Sequence, residues 1–348
     1  MRDTPYLAVD LEVLDRNLAG MARSARARGL ALRPHAKTHK CVEIARRQVA
    51  LSGGGLTLAT VAEAEVFADA GFDDVFLAYP VVASGPRARR LRDLAERVTL
   101  RVGVDSSDGA GLLAAAVPGL EVLVEVDSGH HRTGVAPDRA GEVAASARAA
   151  GLQVAGVFTF PGHSYAPEER KSAVADETLA LSVAASALRA VGIEPRIRSG
   201  GSTPTAALSD GEVLTELRPG VYVFQDAQQA ELGSTDLADV ALTAVATVVS
   251  RGPDRAVLDS GSKVLAADRA AWATGHGRLP DFPDARVVAL SEHHATVTFA
   301  GPAPAVGERV RVAPNHVCTA VNLADELVVV DGGVEVDRWR VAARGANT

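Results

Sequence analysis

Between residues 32 and 217 the chain alternates short apolar runs with longer Ala- and Arg-rich stretches, and this alternation constrains the fold more than any other feature. The strand candidates are 32–36, 56–60, 75–79, 98–104, 122–126, 154–160, 196–199 and 214–217. Between them lie amphipathic segments such as 60–71, 86–97, 137–151 and 167–192, each long enough for a crossover helix. Parallel strands need such crossovers, so eight βα units lead either to a closed (β/α)8 TIM-type barrel or to a doubly wound open sheet. A further helix is written ahead of them, where Leu11, Leu14, Leu18 and Met21 recur at helical spacing before Gly29. From about residue 240 the pattern changes. The β-branched runs 243–249, 256–259, 286–289, 295–299, 309–312 and 327–330 are separated by Gly, Pro and Asp, which predicts an all-β domain. With 225–237 as the junction, the chain divides into an α/β domain over 11–237 and a β domain over 238–348.

Composition narrows the function classes. A chain of 348 residues with 47% hydrophobic content can bury a large core and a smaller one. A net charge of −7 argues against a nucleic-acid surface. No apolar stretch reaches the length of a membrane span, and Arg2, Asp3, Asp10 and Glu12 interrupt the start of the chain, so neither a span nor a secretory leader is expected. A cytoplasmic enzyme of small molecules, without nucleic-acid or membrane partners, is the expectation. Cys41 and Cys318 are too few for a disulfide framework.

The chemistry is concentrated first in Leu32-Arg33-Pro34-His35-Ala36-Lys37-Thr38-His39-Lys40. Only four lysines, Lys37, Lys40, Lys171 and Lys263, stand against 32 arginines, so a plain positive charge is written here as Arg. An ammonium can lose its proton and attack a carbonyl, whereas a guanidinium does not. Lys37 and Lys40 are therefore Schiff-base candidates, and Lys37 ends an apolar run, where a barrel strand presents catalytic side chains. With Thr4-Pro5-Tyr6-Leu7 and Asp10-Leu11 ahead of it, this motif resembles the amino-terminal signature of pyridoxal-phosphate enzymes of the alanine racemase fold type. It is most similar to the D-threonine aldolase and D-serine dehydratase group. The resemblance implies the barrel, pyridoxal 5'-phosphate carried on Lys37, and residues 1–10 paired with the β domain.

The remaining motifs follow the strand ends. In Glu125-Val126-Asp127-Ser128-Gly129-His130-His131-Arg132-Thr133-Gly134, Arg132 is either a surface residue of a Gly-bounded loop or, as the resemblance implies, a catalytic and binding group against the cofactor's phenolic oxygen. In Phe160-Pro161-Gly162-His163-Ser164-Tyr165 the resemblance puts Tyr165 near the pyridine ring and His163 in the active-site wall; on spacing alone Tyr165 serves equally as an aromatic lid over the core. Ser199-Gly200-Gly201-Ser202-Thr203 and Arg218-Pro219-Gly220-Val221-Tyr222 follow the last two strands, where barrels hold phosphate. Gly200, Gly201, Ser202, Thr203, Gly220 and Val221 are assigned to that cradle, with Tyr222 as neighbour.

At Pro314-Asn315-His316-Val317-Cys318 two potential ligands stand two apart, a spacing that puts both on one side of an extended segment. The resemblance makes them a metal pair beside the cofactor. Thiolate and imidazole suit Zn²⁺, with Mn²⁺ as an alternative. Cys41 is assigned to core packing, and Ser291-Glu292-His293-His294 receives no role. The function implied is a lyase acting on D-configured β-hydroxy amino acids, foremost dehydration of D-serine or D-threonine. Retro-aldol cleavage of D-threonine is the alternative, and an amino-acid racemase or a non-catalytic cofactor carrier is the second. The resemblance also implies a homodimer. Lys37→Ala is predicted to abolish the visible absorbance of lysine-bound cofactor in the purified protein, while Lys40→Ala retains it; absorbance spectra of both variants decide between the two lysines.

Overall fold

The computed structural model describes residues 2–209 and 211–348, so Met1 of the stretch assigned to the β domain lies outside the described residues. The chain forms two compact units. One comprises residues 21–37, 45–220 and 346–348, the other residues 1–20, 38–44 and 221–345. The first strand, β1 (Tyr6–Asp10), leads into α1 (Leu11–Ala27), whose Leu14 and Leu18 are buried at the spacing read from the sequence.

The alternation then runs β2 (Ala31–Leu32), α2 (Val42–Ser52), β3 (Leu56–Leu58), α3 (Val61–Asp69), β4 (Asp74–Pro80), α4 (Gly85–Ala95), β5 (Thr99–Val104), α5 (Ser107–Ala116), β6 (Glu121–Glu125), α6 (Ala140–Ala149), β7 (Gln153–Phe158), α7 (Arg170–Ala190), β8 (Ile197–Gly200) and β9 (Glu216–Leu217). Local capping sets several helix starts: Thr60 Oγ1 accepts the Glu63 N–H, and Ser106 Oγ accepts that of Gly109. All neighbouring strands are parallel, in the order β2-β9-β8-β7-β6-β5-β4-β3. The two ends of that order meet, because the Thr57 N–H donates to Pro34 O at 2.9 Å and the Thr57 hydroxyl to Arg33 O at 3.0 Å. A doubly wound sheet has free edges; this one is closed by those bonds into the TIM-type barrel.

The interior divides by strand position. Midway, Phe76 and Phe158 meet edge to face with centroids 5.1 Å apart, packed with Leu123 and Ala155. Toward the amino-terminal ends of the strands lies an ionic floor. Arg33 is bidentate to Asp74, with both bonds at 2.9 Å, and donates to Glu216 at 2.9 Å. Arg101 joins Asp74 to Glu121, which also receives Arg196. Burial opposes the Arg33 charge, but the two carboxylates hold its guanidinium above its ordinary value.

The second unit begins with α8 (Ala227–Glu231) and β10 (Leu242–Arg251), β11 (Arg255–Leu258), α9 (Ser262–Leu265), β12 (Gly277–Leu279), β13 (Phe282–Leu290), β14 (Ala295–Thr298), β15 (Arg309–Pro314), α10 (Val317–Leu323), β16 (Glu326–Asp331) and β17 (Val334–Arg340). The strand order β11-β14-β13-β12-β15-β10 returns on itself through a β10–β11 pairing, which makes an antiparallel barrel; β1, β16 and β17 extend the sheet beyond β10. β1 lies between an antiparallel β10 and a parallel β16. The stretch 225–237, with α8 inside it, belongs to this unit. Among the described residues no helix is long and apolar enough to cross a membrane.

Removing one partner from a buried ion pair leaves the others desolvated and uncompensated. Arg33→Met is predicted to destabilise the protein by about 3–5 kcal/mol, read as a lowered urea midpoint at unchanged m-value.

Candidate active site

Lys37 sits in a single 3₁₀ turn, Ala36–Thr38, that follows β2 at the carboxyl end of the barrel strands. It lines a cavity of about 340 Å³ together with His35, Tyr79, Arg132, Thr133, Phe160 and Arg218. This size suits one small organic ligand. Phe160 is the hub of the wall: Lys37 Nζ is 5.8 Å from its ring centroid, Arg132 Cζ 5.2 Å, and the His130 and Tyr165 rings 5.5 and 6.3 Å. The motif that begins at Leu32 therefore divides its labour, with Arg33 in the barrel floor and Lys37 in the cavity.

The loop after β6 that carries Arg132 is folded by Asp127. Its Oδ1 accepts the N–H groups of Gly129 and His131 at 2.9 and 3.0 Å, and its Oδ2 meets His131 Nδ1 at 2.6 Å. Burial works against the carboxylate, but these donors hold it below its usual range. Glu125 behaves oppositely. Burial pushes its carboxyl above the usual range, although the Thr133 hydroxyl donates to Oε1 at 2.9 Å and the charges of Arg132 and Arg218 favour the anion; among the described residues Oε2 has no hydrogen-bond partner. Arg218 is buried as well, bonded through Nε to Ser199 Oγ at 2.8 Å and through Nη2 to Thr159 O, and stacked on Phe76 and Phe158. Burial draws its guanidinium below its ordinary value. Three cationic side chains in one cavity wall, one of them a primary amine, fit an anionic carbonyl cofactor.

His163 lies outside this wall. Its Nε2 is 3.3 Å from Asp176 Oδ2 on α7, its Nδ1 is buried without a hydrogen-bond partner among the described residues, and its ring packs on Gly129. His130 meets the cavity residue Phe160 edge to face, and burial, with the charges of Arg132 and His163, holds its imidazole below its ordinary value. The Gly200–Thr203 turn after β8 is tied to the His163 turn by a 2.9 Å bond between Ser164 Oγ and Ser202 Oγ. Its amides are engaged within the protein: Gly201 N–H donates to Glu177 Oε1 at 2.6 Å, and Ser202 N–H to Thr205 Oγ1 at 2.9 Å. Gly220 closes the 45–220 stretch of the first unit; Val221 and the buried Tyr222 open the 221–345 stretch of the second in a 3₁₀ turn.

In the second unit His316 and Cys318 come together by a different route from strand alternation. β15 ends at Pro314, His316 is the extended N-cap residue of α10, and Cys318 is in the first turn of that helix. Asp226 Oδ2 lies 3.4 Å from His316 Nδ1 and accepts the Val317 N–H at 3.2 Å, while its Oδ1 caps α8 through the Gln229 N–H at 2.9 Å. Cys318 Sγ is 3.3 Å from Thr38 Oγ1. The Cys318 sulfur, and after it Asp226, push the His316 imidazole well above its usual value against the effect of burial. Such a spot favours positive charge, and a thiolate and an imidazole with Nδ1 turned to a carboxylate fit a divalent metal held through the remaining donors. Among the described residues no group of three such side chains surrounds one point, and His316 and Cys318 are the residues that would hold the metal. Cys41 is fully buried, its thiol bonded to Glu43 at 3.1 Å and pushed up by burial, in keeping with core packing; His293 and His294 are exposed.

A barrel with a cavity-lining lysine, continued by an antiparallel β-barrel, defines the class of alanine racemase-like pyridoxal-phosphate enzymes. The model of the alanine racemase amino-terminal domain matches residues 9–228, and that of a putative serine dehydratase domain matches residues 241–330. The chain is 34% identical to D-threo-3-hydroxyaspartate dehydratase of Delftia sp. (strain HT23), covering 96% of both. The structure of that enzyme superposes with a TM-score of 0.90 over 98% of this chain and 97% of the other, at 31% identity. A variant of it with cysteine replaced by alanine has been solved in the metal-free form. D-threonine aldolase of Arthrobacter sp. is 34% identical over 99% of this chain and 93% of its own, and the crystal structure of D-threonine aldolase from Filomicrobium marinum superposes with a TM-score of 0.88 at 34% identity over 99% and 97%. The chain belongs to the alanine racemase-like family of pyridoxal-phosphate enzymes, in the branch that carries the serine dehydratase-type carboxy-terminal domain.

Sequence reasoning singled out Lys37 and Arg132 but assigned nothing to Tyr79, Glu125, Arg218 or Asp226. Arg218 and Glu125 each open a motif at a strand end, Arg218 as a charge beside proline and glycine and Glu125 as a charge after an apolar run; Tyr79 and Asp226 carry no local signal. Asp226→Asn keeps an N-cap acceptor while removing the charge beside His316. It is predicted to weaken divalent-metal affinity by about 10–100-fold, measured by competition with a chromogenic chelator.

Proposed function

We propose that this protein is a pyridoxal-phosphate- and metal-dependent lyase that removes water from D-configured β-hydroxy amino acids, with D-serine or D-threonine as substrate. The observation that carries the reading is the His316–Cys318 pair held at the start of α10 by Asp226, in a chain whose barrel cavity presents Lys37. A relative with a metal-free cysteine variant, itself a dehydratase, supports it.

When bound, the cofactor supplies a sink for negative charge at Cα and the metal a Lewis acid for the departing hydroxyl. Lys37 Nζ holds the cofactor covalently and then takes the Cα proton, which its position in the cavity wall permits. Arg132, held by the Asp127-folded loop against Phe160, donates charged hydrogen bonds to the ligand's oxygen. His316 and Cys318 would hold the metal, and a thiolate with an imidazole suits Zn²⁺ by donor softness. Loss of water leaves an unsaturated amine that hydrolyses to a 2-oxo acid and ammonia, so carbon is conserved in one product. Retro-aldol cleavage is the competing outcome on the same residues, differing in which bond to Cα breaks.

Incubation with D-threonine separates the two. Dehydration yields 2-oxobutanoate and ammonia; glycine with acetaldehyde would overturn the dehydratase reading. Exhaustive chelation is predicted to lower turnover by about a thousandfold or more while leaving the absorbance of the lysine-bound cofactor intact, because Lys37 does not depend on the metal. L-serine is predicted not to turn over.

A further inference from the structure

The long helix α7 places two consecutive acidic residues against the two loops that follow β7 and β8. Asp176 faces His163 of the first loop at 3.3 Å, and Glu177 accepts the Gly201 N–H of the second at 2.6 Å. Asp176 is solvent-exposed, but Glu177 is fully buried among Ala173, Ala180 and Leu181. Among the described residues its Oε2 has no hydrogen-bond partner, and the charge of Arg218 acts on it only through space. A buried carboxyl with one hydrogen bond and no ion pair is an expensive way to fill a helix face, where a leucine would pack without penalty.

The turn is shaped around this group. A Cβ on Gly200 would lie 2.4 Å from Glu177 Oε1, so the carboxyl occupies the space a side chain there would take. Gly201 has φ +82, the left-handed region open to glycine, and its N–H points back into the barrel wall at Glu177. That N–H is thus a fastener of the turn and not a donor to a ligand, which departs from its assignment to the phosphate cradle. Burial pushes the Glu177 carboxyl up to about 7, so the neutral acid, whose carbonyl oxygen is still an acceptor, is accessible beside an anion.

We propose that Glu177 is a positioning residue for anion binding: its Oε1, by drawing in the Gly201 N–H, sets the Gly200–Thr203 turn in the shape that receives the phosphate of the cofactor. The proposal rests on reading that turn as the phosphate site of a pyridoxal-phosphate enzyme. It requires an acceptor at the length of Glu and no negative charge, which makes Glu177→Gln the conservative replacement, while Glu177→Asp is too short and Glu177→Met has no acceptor.

The full-length apoprotein and these variants are titrated with pyridoxal 5'-phosphate and with pyridoxal, following absorbance. The preference of each variant for the phosphorylated ligand is the readout, which a general loss of packing would not change. Glu177→Met and Glu177→Asp are expected to lose about tenfold or more of that preference, and Glu177→Gln to stay close to the parent protein. Equal weakening of both ligands, or loss in Glu177→Gln as large as in Glu177→Asp, overturns the proposal. Should Glu177→Met fail to fold, the contrast between Gln and Asp decides. A parent protein with no preference for the phosphorylated ligand sinks the reading of the turn itself, whereas a strong preference unchanged in every variant removes Glu177 alone.

Discussion

The barrel depends on how Arg33 is neutralised. It follows β2, where the closing strand is only two residues long, and its carbonyl takes the Thr57 hydroxyl that helps join the first and last strands of the order. Its guanidinium meanwhile binds carboxylates at the starts of β4 and β9, with Arg101 and Glu121 continuing the network across β5 and β6. Two short strands contribute little ladder energy, so the ion network fixes the register of the barrel where hydrogen bonding is thinnest. An ion network of this kind stabilises little over an apolar floor, but it is intolerant of losing a member. The opposite, carboxyl ends of the strands are thereby left to carry the cavity.

At those ends the side chains needed for chemistry are held by polar side-chain contacts rather than by regular secondary structure. Asp127 folds the loop that presents Arg132, Ser199 and Thr159 fix Arg218, and α7 braces the turns after β7 and β8. The carboxyls at these ends take their charge state from burial and partners: Asp127 is held anionic by three donors, whereas the buried Glu125 and Glu177, with fewer donors, are pushed toward the neutral acid. The second unit follows the same rule at α10. There Asp226 caps a helix and turns His316, while His316 and Cys318 approach each other across a helix start.

Much of this architecture was legible in the chain. The eight apolar runs found as strands are those of the barrel, because parallel strands buried on both faces read as continuous apolar stretches. β12 and β17 went unseen for physical reasons. β12 has three residues, and β17 is an exposed edge strand whose charged Glu335, Asp337 and Arg338 erase the apolar pattern. The scarcity of lysine marked Lys37, and the family motif marked Arg132, His316 and Cys318.

By itself the sequence determined the βα alternation, the change to all-β patterning and the residue types able to bind a carbonyl cofactor and a soft metal, because periodicity and donor chemistry are local properties. Closure of the barrel, the presence of Arg132 and absence of His163 in the wall with Lys37, the inward turn of the Gly201 N–H and the meeting of Asp226 with His316 were decided only by tertiary structure. Barrel closure, the Gly201 turn and the Asp226–His316 meeting join residues 24, 24 and 90 positions apart, and neither partner has a pattern that names the other.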